Sequence, residues 1–181
     1  NKTKARELTA QLTLDEKNRL RNYPIAEIER LRTDTIDFGT FELGQNEDKV
    51  LLDDGEAVEI ELEVNLAATS AERFGLMVHS TPGGGHTYVA YDDLSGRVSL
   101  DRRLTGNGDR GYRAAPYEGG TLLTLRVLVD RGMVEVFVNG GAESITSNSF
   151  PNEGPRAVVL SSESGVVWVN SHNIPDQNMP F

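Results

Sequence analysis

From Ile36 onward, apolar and polar residues alternate in short runs at 36–43, 58–65, 74–79, 87–92, 97–102, 122–129, 133–139, 144–149, 156–161 and 166–171. A period of two over four to eight residues marks a strand with one face buried. The clearest case is Val58 to Val64, where Val58, Ile60, Leu62 and Val64 point one way and Glu59, Glu61 and Glu63 the other. One face of this strand is expected in a core and the other in water. Breakers fall between the runs at Asp54-Gly55, Pro82-Gly83-Gly84-Gly85, Ser95-Gly96, Asn107-Gly108 and Gly119-Gly120. Many short strands at this spacing predict an all-β fold, a two-sheet antiparallel β-sandwich of jelly-roll or concanavalin-like type.

The first 35 residues differ, being richer in basic residues and poorer in glycine. Leu8 to Leu14 alternates only loosely, which fits an edge strand of another sheet. Asn22-Tyr23-Pro24 offers a cap followed by a proline, and Ile25, Ile28 and Leu31 then recur at three-residue steps. The spacing predicts a short helix through Arg32 with one apolar stripe, which needs a neighbour to bury it. The expected organisation is a linker over 1–35, with an edge strand and this helix, and a β-sandwich domain over 36–181.

The stretch Val127 to Gly141 reads as a hairpin. Two β-rich runs meet at a three-residue turn, Asp130-Arg131-Gly132, and the second ends in Asn139-Gly140, a pair suited to positive φ. Glu135 is in phase with Met133 and Phe137, where an unpaired carboxylate is costly to bury, so a partner is expected. Arg102 shares parity with Val98 and Leu100 and should project from the apolar side at its strand's end. A guanidinium there needs an anion, and Asp130 and Glu135 suit a bidentate pair. Two readings stay open: an ion pair that closes the end of the sandwich, or a polar cluster that hydrogen-bonds sugar hydroxyls. Trp168, the single tryptophan, and Tyr88, Tyr91, Tyr112 and Tyr117 are able to stack on a sugar's apolar face, but alternation with Val166 places Trp168 in the core.

Bulk properties narrow the field. At 181 residues the chain supports one core. A formal net charge of −10 argues against nucleic acid and anionic membrane surfaces as partners. The absence of cysteine excludes disulfides, thiolate zinc sites and thiol nucleophiles. His79, His86 and His172 sit on separate segments without metal-ligand spacing. Ser80, Ser161 and Ser162 lack a nucleophile elbow, Gly83-Gly84-Gly85 lacks the ending of a phosphate loop, and Asp92-Asp93 fails the calcium-loop pattern. Glu59, Glu61 and Glu63 recur about 7 Å apart, yet nothing on an alternating solvated face would raise one pKa for acid catalysis. No catalytic residue, metal or cofactor is therefore expected. No run of about 18 apolar residues is present. The chain opens without an initiator methionine and is expected to be part of a longer polypeptide.

Several short motifs, in order, resemble the C-terminal β-sandwich of glycoside hydrolase family 32, the fructan hydrolases that include invertases, inulinases and levanases. They are Arg6-Glu7-Leu8, Tyr23-Pro24-Ile25-Ala26-Glu27-Ile28-Glu29-Arg30-Leu31-Arg32, Phe74-Gly75-Leu76, Leu100-Asp101-Arg102, the Val129 to Gly140 hairpin and Ser149-Phe150-Pro151. The family's nucleophile and acid lie in an N-terminal five-bladed propeller, in Trp-Met-Asn-Asp-Pro-like and Glu-Cys motifs, and neither motif occurs here; nor does Arg-Asp-Pro. The resemblance implies a non-catalytic module of a secreted, extracellular β-fructofuranosidase, levanase or inulinase, whose partner is the N-terminal β-propeller of the same polypeptide. Residues 1–35 would lead out of that propeller. Related levan-binding modules of carbohydrate-binding family 66 recognise a terminal fructose, so the alternative is a fructan-binding module, with Asp101, Arg102, Asp130, Glu135 and Trp168 as its site. Exposed sheet edges leave a homodimer open as well.

Overall fold

The computed structural model describes residues 10–106, 110–171 and 174–176. Strands β1 (Ala10–Leu14) and β2 (Leu20–Pro24) come first, followed by a 3₁₀ helix (Ala26–Leu31), β3 (Asp34–Ile36), β4 (Gly39–Leu43) and β5 (Asp48–Leu52). Then come β6 (Ala57–Asn65), β7 (Arg73–Ser80), β8 (Thr87–Asp92), β9 (Arg97–Asp101) and β10 (Tyr112–Pro116). The C-terminal part holds β11 (Leu122–Asp130), β12 (Met133–Val138), β13 (Glu143–Asn148), β14 (Ala157–Glu163), β15 (Val167–Ser171) and β16 (Ile174–Asp176). Two six-stranded sheets form the sandwich: sheet I in the order β10-β9-β8-β7-β14-β5, and sheet II in the order β13-β12-β11-β6-β15-β4. Smaller two-stranded sheets pair β1 with β2 and β3 with β16, and every pairing is antiparallel.

The core lies between the sheets and follows strand parity. Val58, Ile60, Leu62 and Val64 of β6 face Phe74, Leu76 and Val78 of β7 across it, joined by Val89, Leu100, Leu125, Val136 and Leu160. Each pair of i, i+2 residues points to one side of a pleated strand, so one alternating run supplies one row of the core.

The hairpin at Val127 to Gly141 joins β11 to β12. Asp130 pairs with Met133, so its turn holds two residues, Arg131 and Gly132, rather than three, with Arg131 at a φ of 45°. Asn139 and Gly140 turn the chain from β12 into β13 with φ of 47° and 64°, and the Gly141 N–H donates to the Val138 carbonyl at 3.0 Å. Both central residues are left-handed, as a two-residue turn matched to strand twist requires.

Three features depart from the sequence reading. Strands β5 and β10 fall in stretches read as loop; both are sheet edges, where one neighbour is missing and polar residues and a terminal proline are tolerated. Residues 10–24 make their own hairpin, β1 with β2, so β1 is not an edge strand of another sheet and Pro24 ends a strand rather than opening a helix. The helix itself is a 3₁₀ helix that starts from Ile25 without a side-chain cap. Its Ile25, Ile28, Leu31 spacing is the three-residue period of that helix, and Ile28 is already buried within this chain.

A fourth departure matters for function. The outer face of sheet II is not wet: Glu59, Arg126, Leu128, Met133, Glu135 and Phe137 are all buried. The segment from Tyr23 to Arg32 lies over it, with Tyr23 edge-on to Phe137 at 5.8 Å between ring centroids and Arg32 bonded to Glu59. The fold is a sandwich with a partial third layer made by its own N-terminal connector.

Candidate functional site

The outer face of sheet II is held to the connector by charge. Cross-strand register places Arg126 of β11 opposite Glu61 of β6, with Glu59 two residues along the same face. The Arg126 Nε–H donates to Glu59 Oε1, and Arg32 from the connector donates through Nε to Glu59 Oε2 at 2.8 Å and through Nη2 to Glu59 Oε1 at 2.8 Å and Glu61 Oε1 at 2.6 Å. Glu59 is 2% exposed, so its charge is removed from water and repaid by two guanidinium groups. The Arg126 guanidinium also sits 5.1 Å from the centroid of the Tyr23 ring. Burial opposes its charge, but Tyr23 and Glu59 outweigh burial and leave its pKa raised. Sequence reading missed this site because the partners of one acidic strand lie 27 and 67 residues away.

The five residues singled out from sequence do not converge. Asp101 ends β9 on the outer face of sheet I, where Arg103 grips it through Nη2 at 2.6 Å and holds its carboxyl below the usual range. Arg102 lies just past β9; its main chain bonds Gly111 and its Nη1 donates to the Asn148 carbonyl at 2.7 Å. Since Asn148 ends β13, Arg102 ties sheet I to sheet II at one end of the sandwich through a carbonyl, and no ion pair joins it to Asp130 among the described residues. Asp130 and Glu135 share the outer face of sheet II, in adjacent rows with Met133 and Leu128. Glu135 is buried and accepts from the Thr146 hydroxyl at 3.4 Å. Trp168 lies opposite Glu42 on that same sheet and is 40% exposed, while Val167 and Val169 enter the core. Core packing of Trp168 is thus overturned: Val167, not Val166, opens β15, and the parity inverts.

A cleft of about 530 Å³ opens on the outer face of sheet I. Tyr88, Ser161, Arg73, Asp101, Arg103 and Glu163 are among its lining. Arg73 lies over the Tyr88 ring at 4.7 Å from its centroid and faces Glu163 at 3.9 Å.

Between the sheets runs a chain of buried polar groups. His79 Nδ1 meets Ser149 Oγ at 2.7 Å, Ser149 meets Thr87 Oγ1 at 2.7 Å, and Thr87 meets Thr105 Oγ1 at 2.6 Å. This gives the Ser149-Phe150-Pro151 motif a structural reason: Ser149 anchors the end of β13 to sheet I. Burial, with the nearby Arg156 charge, lowers the His79 pKa to about 4.

The sequence comparisons converge on one family. A model described as Glycosyl hydrolases family 32 C terminal matches residues 27–176. Sucrose-6-phosphate hydrolase of Escherichia coli is 34% identical over 117 residues, covering 65% of this chain and 24% of that protein. Levanase of Bacillus subtilis (strain 168) is 30% identical over 159 residues, covering 83% and 23%. The chain therefore spans about a quarter of the length of these curated relatives. Among solved structures, exo-inulinase from Aspergillus awamori matches with a TM-score of 0.73 at 22% identity over 94% of this chain and 35% of its own. Fructan 1-exohydrolase IIa from Cichorium intybus matches with a TM-score of 0.79 at 16% identity over 94% and 40%. Those two likenesses speak for the fold, and the match over 27–176 speaks for descent: the chain belongs to the C-terminal β-sandwich family of the family 32 glycosyl hydrolases.

Proposed function

We propose that this chain is the non-catalytic C-terminal module of a glycosidase acting on β-fructofuranosides, and that it stabilises a catalytic N-terminal β-propeller in the same polypeptide. In this reading residues 1–35 are the linker and residues 36–181 the sandwich. The observation that carries it is the build of the connector. One side is fixed to sheet II through Arg32 and Tyr23, while the β1–β2 hairpin presents Leu12, Leu14 and Leu20 at 64%, 64% and 61% exposure. Leu14 pairs with Leu20, and Leu12 is two residues from Leu14, so all lie on one face of the hairpin. Such a face beside a rigid anchor suits a body that precedes it in the chain. The buried carboxylate Glu59 is committed to guanidinium groups, which leaves it no part in acid catalysis. An extracellular location belongs to this reading, because a fructan polymer does not cross a membrane.

The test is to produce the propeller and this chain separately and melt them alone and mixed. Binding between folded partners raises the melting temperature of both. Independent melting in the mixture would overturn the reading, as would release of fructose from sucrose or levan by this chain alone.

A further inference from the structure

We propose that the cleft on the outer face of sheet I, floored by Tyr88 and Ser161 and walled by Arg73, Asp101, Arg103 and Glu163, binds a neutral polyhydroxylated ligand, a sugar ring. The inference goes beyond the stabilising role and rests on the cleft's own chemistry.

The cleft is written into the register of the sheet. Ser161 pairs with Gly75, Gly75 with Ala90, Ala90 with Ser99 and Ser99 with Ala114, which lays a row of small residues across five strands. On one side runs the row Met77, Tyr88, Asp101 and Tyr112, and on the other Arg73 stands opposite Glu163. Side chains stand roughly perpendicular to a sheet, so a row of Gly, Ala and Ser between rows of long side chains is a trough. Its volume of about 530 Å³ falls in the range of small-molecule sites. Gly75 is fixed by the same packing, since a Cβ there would lie 2.0 Å from the Val89 carbonyl oxygen.

The polar groups are mixed in sign. Arg103 is paired to Asp101 at 2.6 Å, and Arg73 faces Glu163 at the looser 3.9 Å. A hydroxyl both donates and accepts, so carboxylates and guanidinium groups side by side match vicinal hydroxyls. Asp48, Asp101 and Glu163 along the lining oppose a polyanion, and among the described residues no carboxylate and histidine group is gathered tightly enough for a metal ion.

The second observation is the Tyr88 hydroxyl. Tyr88 is 6% exposed, and its oxygen is buried with no hydrogen-bond partner among the described residues, although Ser161 and Glu163 lie close enough to influence its charge. The chain satisfies such groups elsewhere: Tyr91 donates to Asp93 at 3.1 Å, and Tyr117 donates to the Leu122 carbonyl at 3.0 Å. Buried polar groups are nearly always paired, because an unmade bond destabilises the fold. A hydroxyl held back at the floor of a polar cleft is a ligand contact kept at the expense of stability.

The test titrates the isotope-labelled chain with fructose, glucose, sucrose and myo-inositol, and with inorganic phosphate as an anion, following arginine and tyrosine side-chain NMR signals. Saturable shifts centred on Tyr88, Arg73 and Arg103 with at least one polyol are expected. Tyr88→Phe should weaken that binding by roughly five- to tenfold, the worth of one hydrogen bond, without lowering the melting temperature. A defect in stability is the opposite sign and would indicate a hydroxyl used by the fold. Glu163→Gln, at a side chain 47% exposed, gives a second variant that leaves the core untouched and should weaken binding as well. No saturable shift with any polyol up to its solubility overturns the proposal, as do shifts with phosphate alone or equal affinity in Tyr88→Phe. A chain that binds no sugar yet stabilises the propeller would refute this site alone, and a chain that binds sugar without stabilising the propeller would refute only the stabilising role.

Discussion

Glu59 on β6 and Arg126 on β11 pair on the face of sheet II that turns away from the core, and both side chains are almost wholly buried. The same carboxylate takes two further bonds from Arg32 at 2.8 Å, so a single acidic group joins two central strands and the connector. An ion pair in such a place is weak evidence for stability when judged against a hydrophobic replacement, but removing one member strands the others in a poor solvent. The face is thus committed to carrying its connector. Without Arg32 the strand would present an uncompensated charge.

Glu59→Ala should destabilise the chain by about 3–5 kcal/mol, the usual result of breaking a buried pair. Arg32→Ala should cost about 2 kcal/mol, since its loss leaves Arg126 in place. The double variant should fall short of the sum by about 0.5–3 kcal/mol, because the two share one interaction. Urea denaturation at constant pH measures all three. Additive losses would mean that Glu59 and Arg32 act independently.

The β1–β2 hairpin meets the sandwich at Gly141, whose φ is +82° and where a Cβ would lie 2.2 Å from the Asn22 carbonyl oxygen. Gly141→Ala adds the strain of a left-handed alanine, about 1–2 kcal/mol, to a clash with backbone. The hairpin must then lift. A loss of about 2 kcal/mol or more is expected by the same principle, together with faster protease cleavage in the 15–19 turn. Unchanged cleavage would show that the hairpin holds its place without this contact.

Most of the sandwich was legible because alternation survives wherever a strand has one face in the core. Val58 to Val64 could be assigned residue by residue. What escaped was whatever depends on neighbours distant in sequence. Edge strands β5 and β10 lack a second partner and carry polar residues that resemble loops. The glutamates of β6 look like a solvated face until Arg32 and Arg126 arrive from elsewhere. Trp168 shows how fragile parity is, since starting β15 one residue later turns the ring outward. Asp101 and Asp130, both at strand ends, ended on opposite outer faces because their strands belong to different sheets.

His79 makes stability depend on pH. Its folded pKa is lowered from 6.5 to about 4 because burial, then the charge of Arg156, disfavours the imidazolium. The unfolded chain therefore takes up a proton first as pH falls. The contribution is fully present above pH 6.5 and is lost progressively down to about pH 4, on the order of 3 kcal/mol by linkage. His79→Asn keeps a residue that tolerates the φ of 52° and a side chain able to meet Ser149. It should be less stable at pH 7 through lost packing, yet flatter between pH 6.5 and 4 than the parent. Parallel curves would place the titration on other groups.

The exposed leucines of the hairpin separate stability of the chain from stability of the longer polypeptide. Leu12, Leu14 and Leu20 are each more than half exposed, so replacing all three by serine should change the urea midpoint of this chain by no more than about 0.5 kcal/mol per site. Fully burying a leucine side chain against another body contributes roughly 1.5–3 kcal/mol. With the propeller attached, the same triple variant should therefore lose several times more stability than it does in isolation, and the single unfolding transition should split into two. Equal losses in both settings would mean that these side chains meet nothing beyond this chain, and the docking role would pass to another surface.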